Sequence, residues 1–201
     1  MLTLVRHGRT AANAAGVLQG RVDNPLDEVG EAQALAVGRS IGTESIDHVV
    51  CSPLLRARQT AQAITDRSGV DMVLDDRFVE LDYGVYDSIP LSDLPADVWA
   101  QWIDDPGFTP PGGESLLDLR RRVWSALEDL TQVAVDSHVV VVCHTSPIKA
   151  AVQWALGADA ELSWRMRLDT AAVCRVGFRG SRPVLTSFND IGHLADVNPQ
   201  G

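Results

Sequence analysis

Short apolar runs recur along the chain and predict the strands of a single sheet. Each run is rich in Val, Ile or Leu and is bounded by polar or turn-forming residues. Runs without polar alternation are typical of buried parallel strands, because helices cover both faces of such a sheet. The predicted strands span residues 2–5, 48–51, 72–74, 139–143, 172–178 and 183–187.

Amphipathic helical patterns lie between most of these runs. A helix is expected after Ser52 and Pro53, because serine caps helix N-termini and proline suits the first helical position. One long apolar stripe at helical spacing comprises Leu116, Leu119, Val123, Leu127 and Leu130. The predicted helices span residues 28–41, 54–67, 114–133 and 147–156. Alternating strands and helices predict an α/β fold, a single-domain three-layer α/β/α sandwich over residues 1–201 with a mostly parallel sheet.

Residues 78–113 interrupt this alternation. The segment is rich in Pro and Gly and contains Trp99 and Trp102. An insertion of this length in a compact domain is more often a lid or a substrate loop than a plain connection. The two tryptophans can equally anchor a short helix on the core, and the two interpretations are compatible. We therefore expect a lid or insert at about 78–113.

The composition is that of an ordinary globular domain with an excess of acidic residues. Of the 201 residues, 45% are hydrophobic and 22% are charged, and the formal net charge is −10 at pH 7. Such a charge argues against binding to nucleic acid or to an anionic membrane surface. No apolar run approaches the roughly 20 residues of a membrane-spanning helix. Because strand-like residues begin at once, we expect no secretory signal.

The three cysteines predict a cytoplasmic location. Cys51, Cys143 and Cys174 are an odd number, are unclustered and lie within apolar runs. We interpret them as reduced thiols of the core. No Cys or His pair has the spacing of metal ligands, so no metal site is expected.

Polar side chains gather in four segments where strands are expected to end. Arg6 and His7 follow the first strand, and His144 follows the strand at 139–143. Because the carboxyl ends of parallel strands converge on one crevice, imidazoles, guanidiniums and a carboxylate should meet there. An Arg beside a His suits the binding of a phosphate next to an imidazole nucleophile. The four segments are residues 6–13, 51–60, 80–84 and 143–146.

The order of these motifs resembles that of the histidine phosphatase superfamily, which contains the cofactor-dependent phosphoglycerate mutases and many small phosphatases. The resemblance covers nearly the whole chain. It rests on Arg-His-Gly-x-Thr-x-x-Asn at 6–13, Ser-Pro-Leu-x-Arg-Ala-x-Gln-Thr-Ala at 52–61, Glu80, Pro-Gly-Gly-Glu-Ser at 111–115, and His144.

This resemblance implies a metal-independent phosphomonoesterase that acts on a small phosphorylated metabolite and needs no cofactor. His7 would be the nucleophile that forms a phosphohistidine, which water then hydrolyses. Glu80 would be the general acid, with Asp82 and Asp87 as nearby alternatives. Residues expected to bind the phosphate or the substrate, the first three of them also catalytic, are Arg6, Arg56, His144, Asn13, Gln19, Gly20 and Thr145.

Two departures from the family pattern change the expected contacts: the first concerns the phosphate, and the second concerns the rim of the substrate pocket. Thr145 stands where many members have Gly, and residues 84–88 differ from the common Gly-x-Trp-Glu-Gly.

A phosphoglycerate mutase-type transfer and a non-catalytic relative that binds phosphorylated ligands remain as alternatives. The family suggests a possible homodimer. The natural substrate and the role of His193 stay open, and Arg120, Arg121 and Arg122 are interpreted as a solvated helix face.

Overall fold

A six-stranded sheet forms the centre of the computed structural model, which describes residues 1–197. Residues 198–201 of the predicted domain lie outside the described part. The strands are β1 (Leu2–Arg6), β2 (His48–Cys51), β3 (Met72–Leu74), β4 (Val139–Cys143), β5 (Val173–Arg179) and β6 (Arg182–Asp190). Their spatial order is β3-β2-β4-β1-β5-β6. The first four run parallel, whereas β5 is antiparallel to both β1 and β6, which confirms the predicted, mostly parallel sheet.

Helices cover both faces of this sheet, as predicted for a three-layer sandwich. They are α1 (Ala11–Ala14), α2 (Glu28–Ile41), α3 (Leu55–Ser68), α4 (Ala96–Asp104), α5 (Leu116–Ala134) and α6 (Thr145–Leu156). Side chains alternate across a strand, so β4 contributes to two cores. Val139 and Val141 pack with α5 and α6, while Val140 and Val142 pack with α2 and α3.

The predicted helices are present: α2 has the expected bounds 28–41, whereas the first residues of α3, α5 and α6 differ from the expectation by one or two residues. The prediction that Ser52 caps α3 is wrong, because the helix begins at Leu55 and Leu54 occupies the cap position without a side-chain hydrogen bond. Helix α5 is capped by Ser115 in a reciprocal capping box. Helix α6 begins at Thr145, and the short helix α1 was not predicted.

The insert at 78–113 is anchored by an aromatic cluster. Trp102, on α4, is 1% exposed. Its ring makes edge contacts with the rings of Tyr83, Tyr86 and Phe108. Trp99 is 39% exposed and touches the edge of Trp164. Of the two tryptophans, Trp102 is therefore the one that anchors the helix on the core.

Candidate active site

The carboxyl ends of β1 and β4 bring the two predicted histidines together. The strands pair in parallel with Arg6 opposite Cys143, so the following residues, His7 and His144, stand side by side. Their ring centroids are 5.1 Å apart and the ring planes are inclined at 60°. The two residues are 3% and 0% exposed. The imidazoles thus share one enclosed site at the edge of the sheet where ligands of α/β proteins bind.

His7 is oriented with one ring nitrogen available. Its Nδ1 lies 2.7 Å from the carbonyl oxygen of Gly8. Because a carbonyl can only accept, Nδ1 carries the proton and Nε2 keeps its lone pair. Burial, and then the charges of Arg56 and Arg6, hold the pKa of His7 well below its usual value. A neutral imidazole with a free Nε2 is a competent nucleophile.

His144 is oriented through its other ring nitrogen. Its Nε2 lies 2.7 Å from the hydroxyl oxygen of Ser52. Its Nδ1 is buried and has no hydrogen-bond partner within residues 1–197. Burial is the main cause that holds the pKa of His144 well below its usual value, and the charge of Arg56 acts in the same direction. His144 is therefore also neutral near pH 7.

Two guanidinium groups supply positive charge beside the histidines. Arg56, on the first turn of α3, is fully buried and donates to the carbonyl oxygens of Gly20 and Val22 at 2.9 and 2.8 Å. Arg6 donates from Nη1 to the carbonyl of Leu168 at 2.6 Å. Its Nε is buried and unpartnered within the described residues. Burial lowers the pKa of Arg56 to about 10, which still leaves the group charged at neutral pH.

Glu80 lies at the N-terminus of α6, close to both arginines. It is 5% exposed, and its carboxylate accepts backbone N–H bonds from Leu81 at 2.7 Å and from Thr145 and Ser146 at 3.1 Å. The unpaired N–H groups of a helix start stabilise such a negative charge. The amide of Thr145, expected to contact phosphate, therefore bonds to Glu80 in this structure.

Gln19 and Gly20 belong to a turn held between Arg56 and Asp87. The Asp87 carboxylate accepts from the backbone nitrogens of Gly20 and Arg21 at 2.8 and 2.9 Å. Gln19 is 8% exposed. In the amide orientation that matches donors to acceptors, its oxygen accepts from Nε and Nη1 of Arg56, each at 2.9 Å. Both predicted residues thus touch the phosphate-binding candidate Arg56.

Asn13 and His193 contribute local contacts near the same strand end. Asn13 closes the cap of α1, where its Oδ1 accepts from the backbone nitrogen and the hydroxyl of Thr10, both at 3.1 Å. Its side-chain NH₂ is then the group that can donate to a ligand. The Nε2 of His193 lies 3.0 Å from the carbonyl of Ala171, whose backbone nitrogen donates to the carbonyl of His7 at 3.0 Å. His193 therefore supports the backbone next to His7.

Sequence reasoning missed the positions of three residues that shape the site. Ser52 is hydrogen-bonded to His144 instead of capping a helix, and the Asp87 carboxylate accepts a backbone hydrogen bond from Gly20 in the turn described above. The interpretation of Arg122 as solvated is wrong, because its side chain is 18% exposed and donates to the carbonyls of Val79 and Glu80 at 2.8 and 3.2 Å. Arg122 thus fixes the backbone that carries Glu80. No local pattern marks these contacts, since each joins segments far apart in sequence.

The remaining expectations concern cysteines, metal and membrane. Cys51, Cys143 and Cys174 are buried free thiols. Within residues 1–197, no group of three or more His, Cys, Asp or Glu side chains is arranged to hold a metal ion. In the same part of the chain, no helix combines the length and the apolar character needed to cross a membrane.

Comparison with known proteins places this chain in a family. Residues 2–191 match the family model of the histidine phosphatase superfamily (branch 1). The chain is 34% identical over 201 residues to a protein of Yersinia pestis named probable phosphoglycerate mutase GpmB, covering 95% of this chain and 93% of the relative.

Two solved structures show the same fold at similar sequence distance. Phosphoserine phosphatase of Entamoeba histolytica, in complex with phosphoserine, is 28% identical with a TM-score of 0.88, covering 96% of this chain and 98% of that one. Mycobacterial glucosyl-3-phosphoglycerate phosphatase is also 28% identical, with a TM-score of 0.84, covering 94% and 97%. The chain therefore belongs to the histidine phosphatase superfamily, branch 1.

Proposed function

We propose that this protein is a phosphomonoesterase that hydrolyses a small phosphorylated metabolite through a phosphohistidine on His7. One observation carries the proposal. A neutral imidazole with a free Nε2 lies beside a second imidazole and two guanidiniums at the carboxyl ends of β1 and β4. Two buried nitrogens there, Nε of Arg6 and Nδ1 of His144, have no partner within residues 1–197. A bound phosphate would give both of them an acceptor.

In the first step, Nε2 of His7 attacks phosphorus in line and the bond to the leaving oxygen breaks. Arg6, Arg56 and His144 stabilise the charge on the equatorial oxygens, which replaces the stabilisation that a metal ion provides in other phosphoryl-transfer sites. Glu80, which holds the proton that it takes from water in the second step of the preceding turnover, gives that proton to the leaving oxygen. We infer that bound phosphate accepts the Thr145 N–H in place of Oε2 of Glu80, which leaves that oxygen with only the longer 3.4 Å contact to the Ser146 nitrogen.

In the second step, Glu80 removes a proton from water, and the water oxygen attacks the phosphorus of the phosphohistidine. The bond to Nε2 breaks, and His7 returns to its neutral form with inorganic phosphate as the product. Glu80 is protonated again and is ready for the next cycle. The same carboxyl group therefore acts as an acid and then as a base.

The mutase alternative is favoured by the name of the Yersinia pestis relative, which is 34% identical to this chain. A mutase must retain an anionic phosphorylated product until it receives the phosphoryl group back. The insert at 78–113 carries Glu80 of the site and contains no Lys, Arg or His, so it contributes no basic side chain to retain such an anion. This composition supports hydrolysis over transfer.

The finer expectations about setting and assembly are also proposals. We propose that the domain spans residues 1–201 and that the insert at 78–113 forms a lid or wall of the substrate pocket. In support, the base of the insert is closed by backbone hydrogen bonds from Val85 to Pro111 and from Glu114 to Asp82, both 3.0 Å.

Three free thiols fit a cytoplasmic protein. The possible homodimer stays a prediction that sedimentation measurements test.

The experiment for this proposal is phosphate release from an aryl phosphate in the presence of a chelator. Wild type should be active, His7→Ala should be inactive, and His48→Ala should match wild type because His48 is an exposed residue of β2. A phosphoglycerate should lose phosphate rather than gain an isomer. Activity that disappears with the chelator, or that survives in His7→Ala, would contradict the proposal.

A further inference from the structure

The two imidazoles of the site are hydrogen-bonded through different nitrogens. His7 uses Nδ1, and its partner is the carbonyl oxygen of Gly8, which fixes the proton on Nδ1. His144 uses Nε2, and its partner is the hydroxyl of Ser52, which can donate or accept. The hydrogen bond to the hydroxyl therefore does not by itself fix the tautomer of His144, which depends on the other groups of the site.

The charges around His144 require a neutral ring. Burial is the largest cause, and after it the charges of Arg56, Arg6 and Arg122 oppose a positive charge on the ring. A neutral imidazole carries one proton on either Nδ1 or Nε2. If Nε2 held it, Nδ1 would present a lone pair, which repels the oxygen of a phosphate.

The buried Nδ1 of His144 decides between these two forms. It has no hydrogen-bond partner within residues 1–197, although its ring lies beside the nucleophile His7. Only the form with a proton on Nδ1 can donate to a substrate oxygen at this place. That form leaves a lone pair on Nε2, and the Ser52 hydroxyl must then donate a hydrogen bond to this lone pair.

We propose that Ser52 is a positioning residue whose hydroxyl donates to Nε2 of His144 and so holds the ring as the Nδ1–H tautomer that binds the phosphate. The inference rests on the proposed function of the site. It explains why two adjacent neutral histidines do different work: one presents a lone pair to phosphorus, and the other presents an N–H to an oxygen.

The surroundings of Ser52 fit this role. The residue is 0% exposed, and Leu54 occupies the cap position of α3, so the hydroxyl is not used in helix capping. The Leu54 backbone nitrogen lies 3.4 Å from Oγ and makes a long contact to its lone pairs. The proton of the hydroxyl remains for His144 at 2.7 Å. With one lone pair in contact with the Leu54 N–H, the hydroxyl can direct its proton toward the ring.

The test is a ¹⁵N NMR experiment on the imidazole rings, with His144 assigned by comparison with His144→Gln. In wild type, Nδ1 of His144 should be protonated and Nε2 should not. Ser52→Ala should move the ring signals toward the Nε2–H form, and Ser52→Thr, which keeps a hydroxyl, should restore the Nδ1–H form. Either an Nε2–H ring in wild type or an unchanged Nδ1–H ring in Ser52→Ala would overturn the proposal.

Turnover of an aryl phosphate gives a second readout. We expect Ser52→Ala to lower kcat/KM about tenfold to a hundredfold, and Ser52→Thr to recover most of it. Ser163→Ala is the matched control, because it removes another buried hydroxyl, one that bonds to Gln153. An equal loss in Ser163→Ala would contradict a specific role for Ser52.

The two proposals can fail separately. If the phosphatase assignment is wrong, wild type shows no turnover or His7→Ala keeps it, whatever tautomer His144 adopts. If only the Ser52 proposal is wrong, wild type hydrolyses the ester through His7, while its spectrum shows the Nε2–H form or Ser52→Ala keeps the Nδ1–H form. The spectrum of wild type alone decides the tautomer, even where Ser52→Ala fails to fold.

Discussion

At the scale of single residues, chemistry depends on which atom of each side chain remains free. The backbone carbonyl of Gly8 accepts a hydrogen bond from Nδ1 of His7 and leaves the lone pair of Nε2 free. Helix α6 presents its first N–H groups to Glu80 and holds a carboxylate there. The motifs predicted the identities of these residues, but they contained no information on tautomer or hydrogen-bond partner. Those properties arise from contacts between segments that are distant in sequence.

The role of Glu80 as an acid can be tested at this scale with Glu80→Gln. Glutamine keeps the shape and one acceptor oxygen but cannot donate a carboxyl proton. We expect kcat for an alkyl phosphate to fall about 100-fold to 1000-fold, and kcat for an aryl phosphate to fall less than about tenfold. The reason is that an aryl oxide leaves without much help from a proton. The measurement is steady-state kinetics on the two esters.

Asp82→Asn is the matched control, since Asp82 is the neighbouring acid and bonds to the backbone of Gly84. It should affect both esters alike and weakly. Equal losses on the two esters in Glu80→Gln would mean that another group protonates the leaving oxygen.

At the scale of elements, the predictions succeeded where periodicity is strong and failed where tertiary contacts decide. The five strongly apolar residues of the α5 stripe predicted that helix to within two residues at its start. The antiparallel pair β5 and β6 sits beside a parallel sheet, an arrangement that no run of residues specifies. The cap of α3 was wrongly assigned because Ser52 bonds to His144, a residue at the end of another strand. Arg122 was misjudged because its carbonyl partners lie more than forty residues away.

The aromatic cluster of the insert gives a prediction at this scale. Trp102→Ala should lower the free energy of unfolding by about 3–5 kcal/mol, because it empties a buried site between Tyr83, Tyr86 and Phe108. Trp99→Ala is the matched control, and it should cost less than about 1 kcal/mol because Trp99 is partly exposed. Urea unfolding of both variants measures the difference. Similar losses in the two variants would show that α4 is not anchored through Trp102.

At the scale of the whole molecule, positive charge is concentrated in an otherwise acidic protein. The net charge of −10 repels anions at long range, so a phosphate ester depends on the local pair Arg6 and Arg56 for attraction. Burial, and after it the charge of the same pair, lowers the pKa of His7 and of His144. Folding thus keeps two histidines neutral that would be half-protonated near pH 6.5 in an unfolded chain.

This difference predicts how stability depends on pH. Below about pH 6.5 the unfolded chain binds protons that the folded His7 and His144 do not, so the free energy of unfolding should fall as the pH falls from 7 to 5. Each histidine contributes up to about 1.4 kcal/mol per pH unit. Urea unfolding at pH 7, 6 and 5 measures the slope. A His7→Gln, His144→Gln double variant should show a shallower slope of the unfolding free energy against pH, whereas His48→Ala should not. An identical slope in wild type and both variants would show that His7 and His144 do not cause the pH dependence.

The central claim is that His7 carries the phosphoryl group, and direct trapping of the phosphoenzyme tests it most directly. Wild type, His7→Ala and His48→Ala are mixed with an aryl phosphate, quenched in base within milliseconds, and analysed by mass spectrometry of their peptides. The account predicts one acid-labile phosphoryl group on His7 in wild type and in His48→Ala, and none in His7→Ala. Turnover in wild type with no phosphoryl group on His7, or with one on another residue, would contradict it.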